Sequence, residues 1–395
     1  MLFKKRIIII VLCVAFLIVG FITIPIHNLI SRWDYSYITD STYVITGTID
    51  VANLNTPLDG YHAWISPKGN LYMGVWKNGM LGKGVLVTEK SVYEGELQNL
   101  SPHGYGIMYY NNGNIYRGNW IVGNKEGIGL MHNKDGSMFF GHWRAGLFNV
   151  AKNAKYKTEE SVYGIDISSW QQHEKIKWNE LALYSDANGD VYSHETTVFE
   201  YMQPVTFAYI RATSGCKKDS SYLEHMENAR KYKVIVGAYH FFTINENVDD
   251  QINIYINTVK YERGDLPPIL DLENEYSNAP SKYLKELRQY GVKKMQEGAL
   301  KWLKAIEQHY QVKPIIYTNE KWKEDFLNDK RFDEYNFWYA RYFNVKPKSE
   351  HNWMFWQRTD RARPHGYLGD IDVNIFNGTF DRFMEFRKSN YTKIR

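Results

Sequence analysis

Leu266-Pro-Pro-Ile-Leu-Asp-Leu-Glu273 enters through two prolines, runs on as a short apolar stretch and ends on two acids. The polar residues Asn274, Glu275, Tyr276 and Ser277 follow at once. This is the pattern of a buried strand whose C-terminal end opens at a surface. Residues two apart on a strand face the same side, so Asp271 and Glu273 direct both carboxyl groups to one place. Two more acids stand in strand-like runs: Asp166 in Tyr163-Gly-Ile-Asp-Ile167, and Asp372 at the start of Asp-Val-Asn-Ile-Phe376. An Asp-x-Glu pair alone is more often a solvated edge or a loop cap. Four acids from three strands are hard to explain as packing.

Outward from that run, the C-terminal part alternates strands with helices. Strands are expected over 163–167, 206–212, 234–240, 268–273, 314–317, 337–340, 354–357 and 372–376. Helices fit near Trp178 and over 220–232, 249–262, 281–309 and 321–327. In the long one, Leu284, Leu287, Met295, Ala299, Leu303 and Ile306 recur at helical spacing and would pack on a sheet. The last three gaps are too short for crossover helices. The expected fold class is therefore α/β, a modified (β/α) barrel with eight strands and about five helices. All four acids are expected at or near C-terminal strand ends, where barrels carry chemistry.

A repeat precedes the barrel. Tyr72-x-Gly74-x-Trp76, Tyr93-x-Gly95-x-Leu97, Tyr116-x-Gly118-x-Trp120 and Phe139-x-Gly141-x-Trp143 start 21, 23 and 23 residues apart. A fixed period of this size means stacked supersecondary units. Asn112-Gly113 and Asp135-Gly136 supply hairpin turns, so each unit should be one β-hairpin. The pattern resembles the MORN repeat family, which implies a spacer, or a surface for a protein or lipid partner.

At the N-terminus, Lys4-Lys5-Arg6 is followed by an uncharged run, Ile7 to Ile26, long enough to span a hydrocarbon core of about 30 Å. The basic flank places the N-terminus in the cytoplasm and the rest of the chain in the periplasm or outside the cell. A cleaved signal peptide is the rival reading, disfavoured by the length of the run and the lack of an Ala-x-Ala site. The expected organisation is a basic flank at 1–6, a transmembrane helix at 7–26, a linker at 27–58, the hairpin-repeat domain at 59–150, a connector at 151–162 and the barrel at 163–388.

Composition narrows the partners. With 48 basic against 44 acidic residues among 395, and no Lys/Arg stripe beyond the extreme N-terminus, nucleic acid is not an expected partner. Two distant cysteines, Cys13 and Cys216, exclude a disulfide framework and a zinc site. Asp186-Ala-Asn-Gly-Asp190 has its glycine at the wrong offset for a calcium loop and reads as a turn. Neither a metal nor a cofactor is expected.

Six segments in order, namely Gly164-Ile-Asp-Ile-Ser168, Phe207-Ala-Tyr-Ile-Arg-Ala-Thr213, Gly237-Ala-Tyr-His-Phe-Phe242, Pro267 to Glu273, Pro314-Ile-Ile-Tyr-Thr318, and Phe355-Trp-Gln357 with Ile371-Asp-Val-Asn374, resemble glycoside hydrolase family 25. The resemblance covers 163–380 and implies an N-acetylmuramidase, a lysozyme-type enzyme acting on peptidoglycan glycan strands. It departs at Ser214, where the family more often has Glu, and in an extra polar stretch over 183–203. The resemblance makes Glu273 the proton donor, with Asp271 orienting the substrate's 2-acetamido group, and Asp166 and Asp372 holding the substrate and fixing the charge pattern. Clustered carboxylates repel further negative charge, which helps one of them keep its proton near neutral pH. Tyr239, Tyr317, Trp338, Tyr339 and Trp356 are candidates to stack on sugar faces, with Gln357, Arg341 and Asn374 as polar contacts. His240 orients a carboxylate or serves the core. The stereochemical outcome stays open, as do two rival functions: a peptidoglycan-binding scaffold without activity, and a hydrolase of another N-acetylated glycan such as chitin.

Overall fold

The computed structural model describes residues 59–135, 137–148, 161–171, 176–186, 191, 201–274, 280–342, 346–348 and 352–390. The apolar run at 7–26 lies outside the described residues. Among the described residues no helix is long and apolar enough to cross a membrane. The chain divides into two compact units, at 1–153 and 154–395.

In the first unit, β1 (Gly60–Ile65), β2 (Leu71–Lys77), β3 (Met80–Val87), β4 (Ser91–Gln98), β5 (Ser101–Tyr110), β6 (Ile115–Ile121), β7 (Asn124–His132), β8 (Met138–Arg144) and β9 (Leu147–Phe148) form one antiparallel sheet in chain order. The repeat accounts for its core. Trp64, Tyr72, Trp76, Tyr93, Tyr116, Trp120 and Trp143 are buried together on one face. Three indoles reach back 14 residues: Trp76 Nε1 donates to the His62 carbonyl at 3.2 Å, Trp120 Nε1 to Gly106 at 3.3 Å and Trp143 Nε1 to Gly129 at 3.0 Å. The glycines make that stacking feasible. A Cβ at Gly106 would lie 2.4 Å from Tyr93 Cζ, and one at Gly129 2.6 Å from Tyr116 Cζ, too close for either ring to stay in place.

The second unit begins with β10 (Val162–Ile167), followed by a hairpin of β11 (Ala182–Ser185) and β12 (Tyr201–Pro204). Next come β13 (Phe207–Ser214), β14 (Lys217–Lys218), α1 (Tyr222–Lys231), β15 (Ile235–Phe241), α2 (Val248–Thr258) and β16 (Ile269–Asp271). Then follow α3 (Pro280–Tyr290), α4 (Val292–Tyr310), β17 (Ile315–Asn319), α5 (Glu320–Phe326), β18 (Asn336–Ala340), β19 (Trp353–Ala362), β20 (Ile371–Phe376) and α6 (Phe380–Ser389). Eight strands close a barrel in the order β10-β20-β19-β18-β17-β16-β15-β13, with β13 returning to β10. Every barrel pairing is parallel except the two made by β20.

That antiparallel strand corrects one expectation. Asp372 lies near the N-terminal end of β20, yet it reaches the barrel end that holds the other acids, because β20 runs in the opposite direction. The helix expected near Trp178 is a turn: Lys177 N and Ala182 N donate to the carbonyls of Gly366 and His365, so a neighbouring loop takes the bonds a helix would have made internally. The long helix over 281–309 is broken into α3 and α4 at Gly291, whose φ of 99° no α-helix contains. The C-terminal helix α6 was not expected. Thr379 caps it, and its buried Phe383 packs on Phe207 and Phe376 at the barrel end away from the acids.

The barrel is filled by inward rings. Phe207, Tyr209, Trp338 and Phe355 meet at centroid distances of 5.1 to 6.2 Å and form a floor below the acids. The outer layer, between strands and helices, is aliphatic and aromatic, with Leu270, Ile316, Trp302 and Leu303 fully buried. The residues beneath the acid-bearing rim are thus buried.

Candidate active site

Strand alternation decides which side chains enter the cleft. Asp166 is one residue from the end of β10, Asp271 ends β16, and Glu273 lies two residues beyond it. Asp166 and Asp372 pair directly across β10 and β20. Asp166 and Asp271 are buried, whereas Glu273 and Asp372 are part-exposed and reach the open side.

Asp166 is the best-supported of the four. Its Oδ2 accepts from Gln357 Nε2 at 2.9 Å and from Asn374 Nδ2 at 2.8 Å. Gln357 Oε1 in turn accepts from Tyr317 Oη at 2.7 Å and from Tyr342 Oη at 3.0 Å. Two phenol donors on one side and a carboxylate on the other leave that amide a single orientation. Burial pushes Asp166 above its ordinary value, while the hydrogen bonds from Asn374, Gln357 and Asp372 oppose the rise. Burial, the Asp166 charge and the hydrogen bond to Asp166 hold Asp372 well above the usual carboxylate range. Both acids are raised, and the hydrogen bonds that Asp166 accepts from Asn374 and Gln357 favour the negative charge there.

Asp271 and Glu273 form the second pair. Burial, then the charges of Glu273 and Asp166, raise Asp271 well above the carboxylate range, with Arg211 pulling the other way. Asp271 Oδ1 is buried and has no hydrogen-bond partner among the described residues. Burial, then the Asp166 charge, pushes Glu273 up to about 7. A carboxyl group that is still protonated near neutral pH and open to the cleft can give a proton to a bound molecule.

Several of the candidate residues lie beside the acids. Tyr239 and Tyr317 stand among the acids: the charges of Asp166, Asp271 and Asp372 act on Tyr239, and those of Glu273, Asp271 and Asp166 act on Tyr317. Gln357 and Asn374 are there too, bound to Asp166 and so positioned to orient it. Trp338 is only 2 % exposed and packs on Tyr209 and Tyr317, which makes it floor and not cleft wall.

Others are corrected. Tyr339 and Trp356 point outward, because each follows or precedes an inward residue on its strand. Tyr339 stacks on Phe337 at 5.2 Å, and Trp356 Nε1 donates to the Arg341 carbonyl at 2.6 Å. Arg341 is paired with Glu320 at 2.6 Å and does not act on the four acids. His240 binds no carboxylate. Its Nδ1 meets Thr213 Oγ1 at 2.7 Å, its Nε2 meets Gln251 Oε1 at 3.1 Å, and its ring stacks on Trp302. Burial drives it down to about 3, so it is a neutral core residue.

Two site residues escaped the sequence reading. Arg211 is held by Asp219 at 2.8 Å and by Ser169 Oγ at 3.0 Å, and its charge reaches Asp271 and Tyr239. Alternation along Phe207-Ala-Tyr-Ile-Arg211 was a usable signal, since it puts Arg211 on the inward side with Tyr209. Tyr342 lies just past β18, in a loop whose pattern carries no period. Among the described residues no group of three or more His, Cys, Asp or Glu side chains is arranged to hold a metal ion.

Comparison with known proteins identifies the family. The chain is 31% identical over 228 residues to the uncharacterized protein YegX of Escherichia coli K12, an alignment covering 57% of this chain and 73% of that one. It is 27% identical over 237 residues to lysozyme M1 of Streptomyces globisporus, covering 56% and 70%. Among solved structures, the bacterial lysozyme from Streptomyces coelicolor aligns at 26% identity and a TM-score of 0.46, covering 58% of this chain and 98% of that one. The family model for glycosyl hydrolases family 25 matches residues 165–367, a stretch that contains Asp166, Asp271 and Glu273 and exceeds half of the chain. The chain belongs to glycosyl hydrolases family 25, and it is a glycoside hydrolase.

Proposed function

We propose that this enzyme is an N-acetylmuramidase that cleaves the β-1,4 bond between N-acetylmuramic acid and N-acetylglucosamine in peptidoglycan. The observation that carries the reading is the convergence of four carboxyl groups on one barrel end, with Glu273 raised to about 7 beside a buried, unpartnered Asp271 oxygen. Glu273 protonates the departing glycosidic oxygen. Asp271 orients the 2-acetamido group, whose carbonyl oxygen attacks the anomeric carbon as the C–O bond breaks, and water then opens the resulting oxazolinium ion to give the reducing sugar. Asp166, fixed by Gln357 and Asn374, keeps the cleft anionic and so favours the positive charge that develops on the sugar ring.

The N-terminal unit is read as a MORN-type stalk, and 7–26 as a membrane anchor that keeps the N-terminus in the cytoplasm and the barrel in the periplasm or outside the cell. The aromatic one-sided sheet supports the first reading, and the uncharged run flanked by Lys4-Lys5-Arg6 supports the second.

Mass spectrometry of sacculi digested by the full-length protein, beside Glu273→Gln, tests the proposal. Muropeptides ending in reducing N-acetylmuramic acid should appear with the unaltered enzyme alone. Reducing N-acetylglucosamine ends, or cleavage confined to chitin oligomers, would replace it with a different glycosidase.

A further inference from the structure

Trp170 is 81% exposed, the most exposed tryptophan among the described residues. It sits in the 3₁₀ turn Ser169–Gln171, directly after β10 and four residues past Asp166. Its backbone is tightly held. Ser168 N donates to Gln171 Oε1 at 2.9 Å, Trp170 N to Ser168 Oγ at 3.2 Å, and Gln171 N to the Ser168 carbonyl at 3.1 Å.

The same turn is tied to the cleft. Ser169 N donates to Asp219 Oδ2 at 3.0 Å, and Ser169 Oγ accepts from Arg211 Nη2 at 3.0 Å. Arg211 is the cation whose charge acts on Asp271 and Tyr239. A large flat ring is thus presented to water on a rigid turn, one residue from a group bonded into the site. Such a ring loses little further freedom when something docks on it, which is the condition for an efficient contact. Its chemistry selects the occupant: an indole offers broad apolar area with a polar edge, and a pyranose ring offers a matching flat face of C–H bonds.

We propose that Trp170 is the platform for a sugar ring at a subsite beyond the two rings flanking the scissile bond, so that the enzyme prefers extended glycan strands over short fragments. The proposal rests on the glycan-cleaving reading of the same cleft. Trp170 is linked to Asp271 through Ser169 and Arg211, and in this proposal the ring stacked on Trp170 is not the one being cleaved. Trp170 needs no role in proton transfer, and its effect belongs to binding.

The test measures binding of purified peptidoglycan glycan fragments of two, four and six sugars to the full-length protein carrying Glu273→Gln, with and without Trp170→Ala. Affinity for the six-sugar fragment should fall about tenfold with Trp170→Ala, while the two-sugar fragment binds as before and Trp170→Tyr restores most of the loss. In the active enzyme Trp170→Ala should raise KM for six sugars by a similar factor and leave kcat within about twofold. Equal affinity with and without the indole, an equal loss at every length, or no binding of six sugars at all would each overturn the platform. If the active enzyme releases no reducing ends while the length-dependent loss persists, the hydrolase reading fails and the platform stands. If it cuts sacculi normally and Trp170→Ala shows no length dependence, only the platform falls.

Discussion

Asp166 and Asp372 occupy the same rung of the β10–β20 ladder, although their strands run in opposite directions. Two carboxyl groups placed opposite each other resist ionising together. Gln357 and Asn374 both donate to Asp166, which favours the negative charge there. The charge on Asp166 is in turn one of the causes that raise Glu273.

The first prediction concerns pH. Glu273 works in its protonated form and is raised to about 7, so activity should fall as pH rises through about 7. Asp166→Asn removes one cause of that rise. The alkaline limb should therefore move to lower pH, by a visible fraction of a unit, in profiles of kcat/KM. An unmoved limb would remove Asp166 from the control of the proton donor.

Asp271→Asn should trade activity for stability. A carboxyl group raised on folding stabilises the fold while protonated and costs stability as pH rises through its folded value. The unfolded value is about 3.9, so the wild type and Asp271→Asn should melt together at pH 4, with the variant the more stable by pH 8. A gain of about 1 kcal/mol corresponds to roughly 2–4 °C in a domain of this size. Turnover should drop by a factor of about a hundred or more. A variant that melts lower at pH 8 contradicts the account.

Gln357→Leu would leave Tyr317 and Tyr342 without their shared acceptor and Asp166 with one donor fewer. Unmade buried hydrogen bonds of this kind cost about 1–3 kcal/mol each. The expected result is a kcat lowered roughly tenfold to a hundredfold, KM within about twofold, and an unchanged far-ultraviolet circular dichroism spectrum. A purely structural role would lower stability without this split between kcat and KM.

Gly129→Ala probes the other unit. The added methyl group would overlap the Tyr116 ring, and overpacking costs about 1–3 kcal/mol. Thermal unfolding followed by near-ultraviolet circular dichroism should show the sheet melting earlier, while cleavage of soluble glycan by the barrel is retained. Loss of both together would show that the two units unfold as one.

How much of this was legible in sequence depends on whether the signal was local. Strand runs such as Ile165-Asp-Ile and Ile269-Leu-Asp carried their own evidence, because period-2 alternation and flanking prolines are visible in a few residues. So did the hairpin period, and the four acids. The facing of Tyr339 and Trp356 was not legible, because it depends on which neighbours fix the register, and a shift of one residue reverses every side chain on a strand. Tyr342 was hidden by its loop, and the missing helix at Trp178 by hydrogen bonds to Gly366 and His365, nearly 190 residues away. Trp178 itself is buried, 6 % exposed.

The indole-to-carbonyl bonds in the nine-stranded sheet have a consequence for how the molecule can vary. Each of Trp76, Trp120 and Trp143 finds its acceptor one strand earlier, never across the whole sheet. A copy inserted or removed as a complete hairpin would therefore leave every surviving bond with its old partner. Adjacent strands are about 4.8 Å apart, so such changes lengthen or shorten this unit in increments of about 10 Å, an adjustable ruler encoded in a 23-residue module.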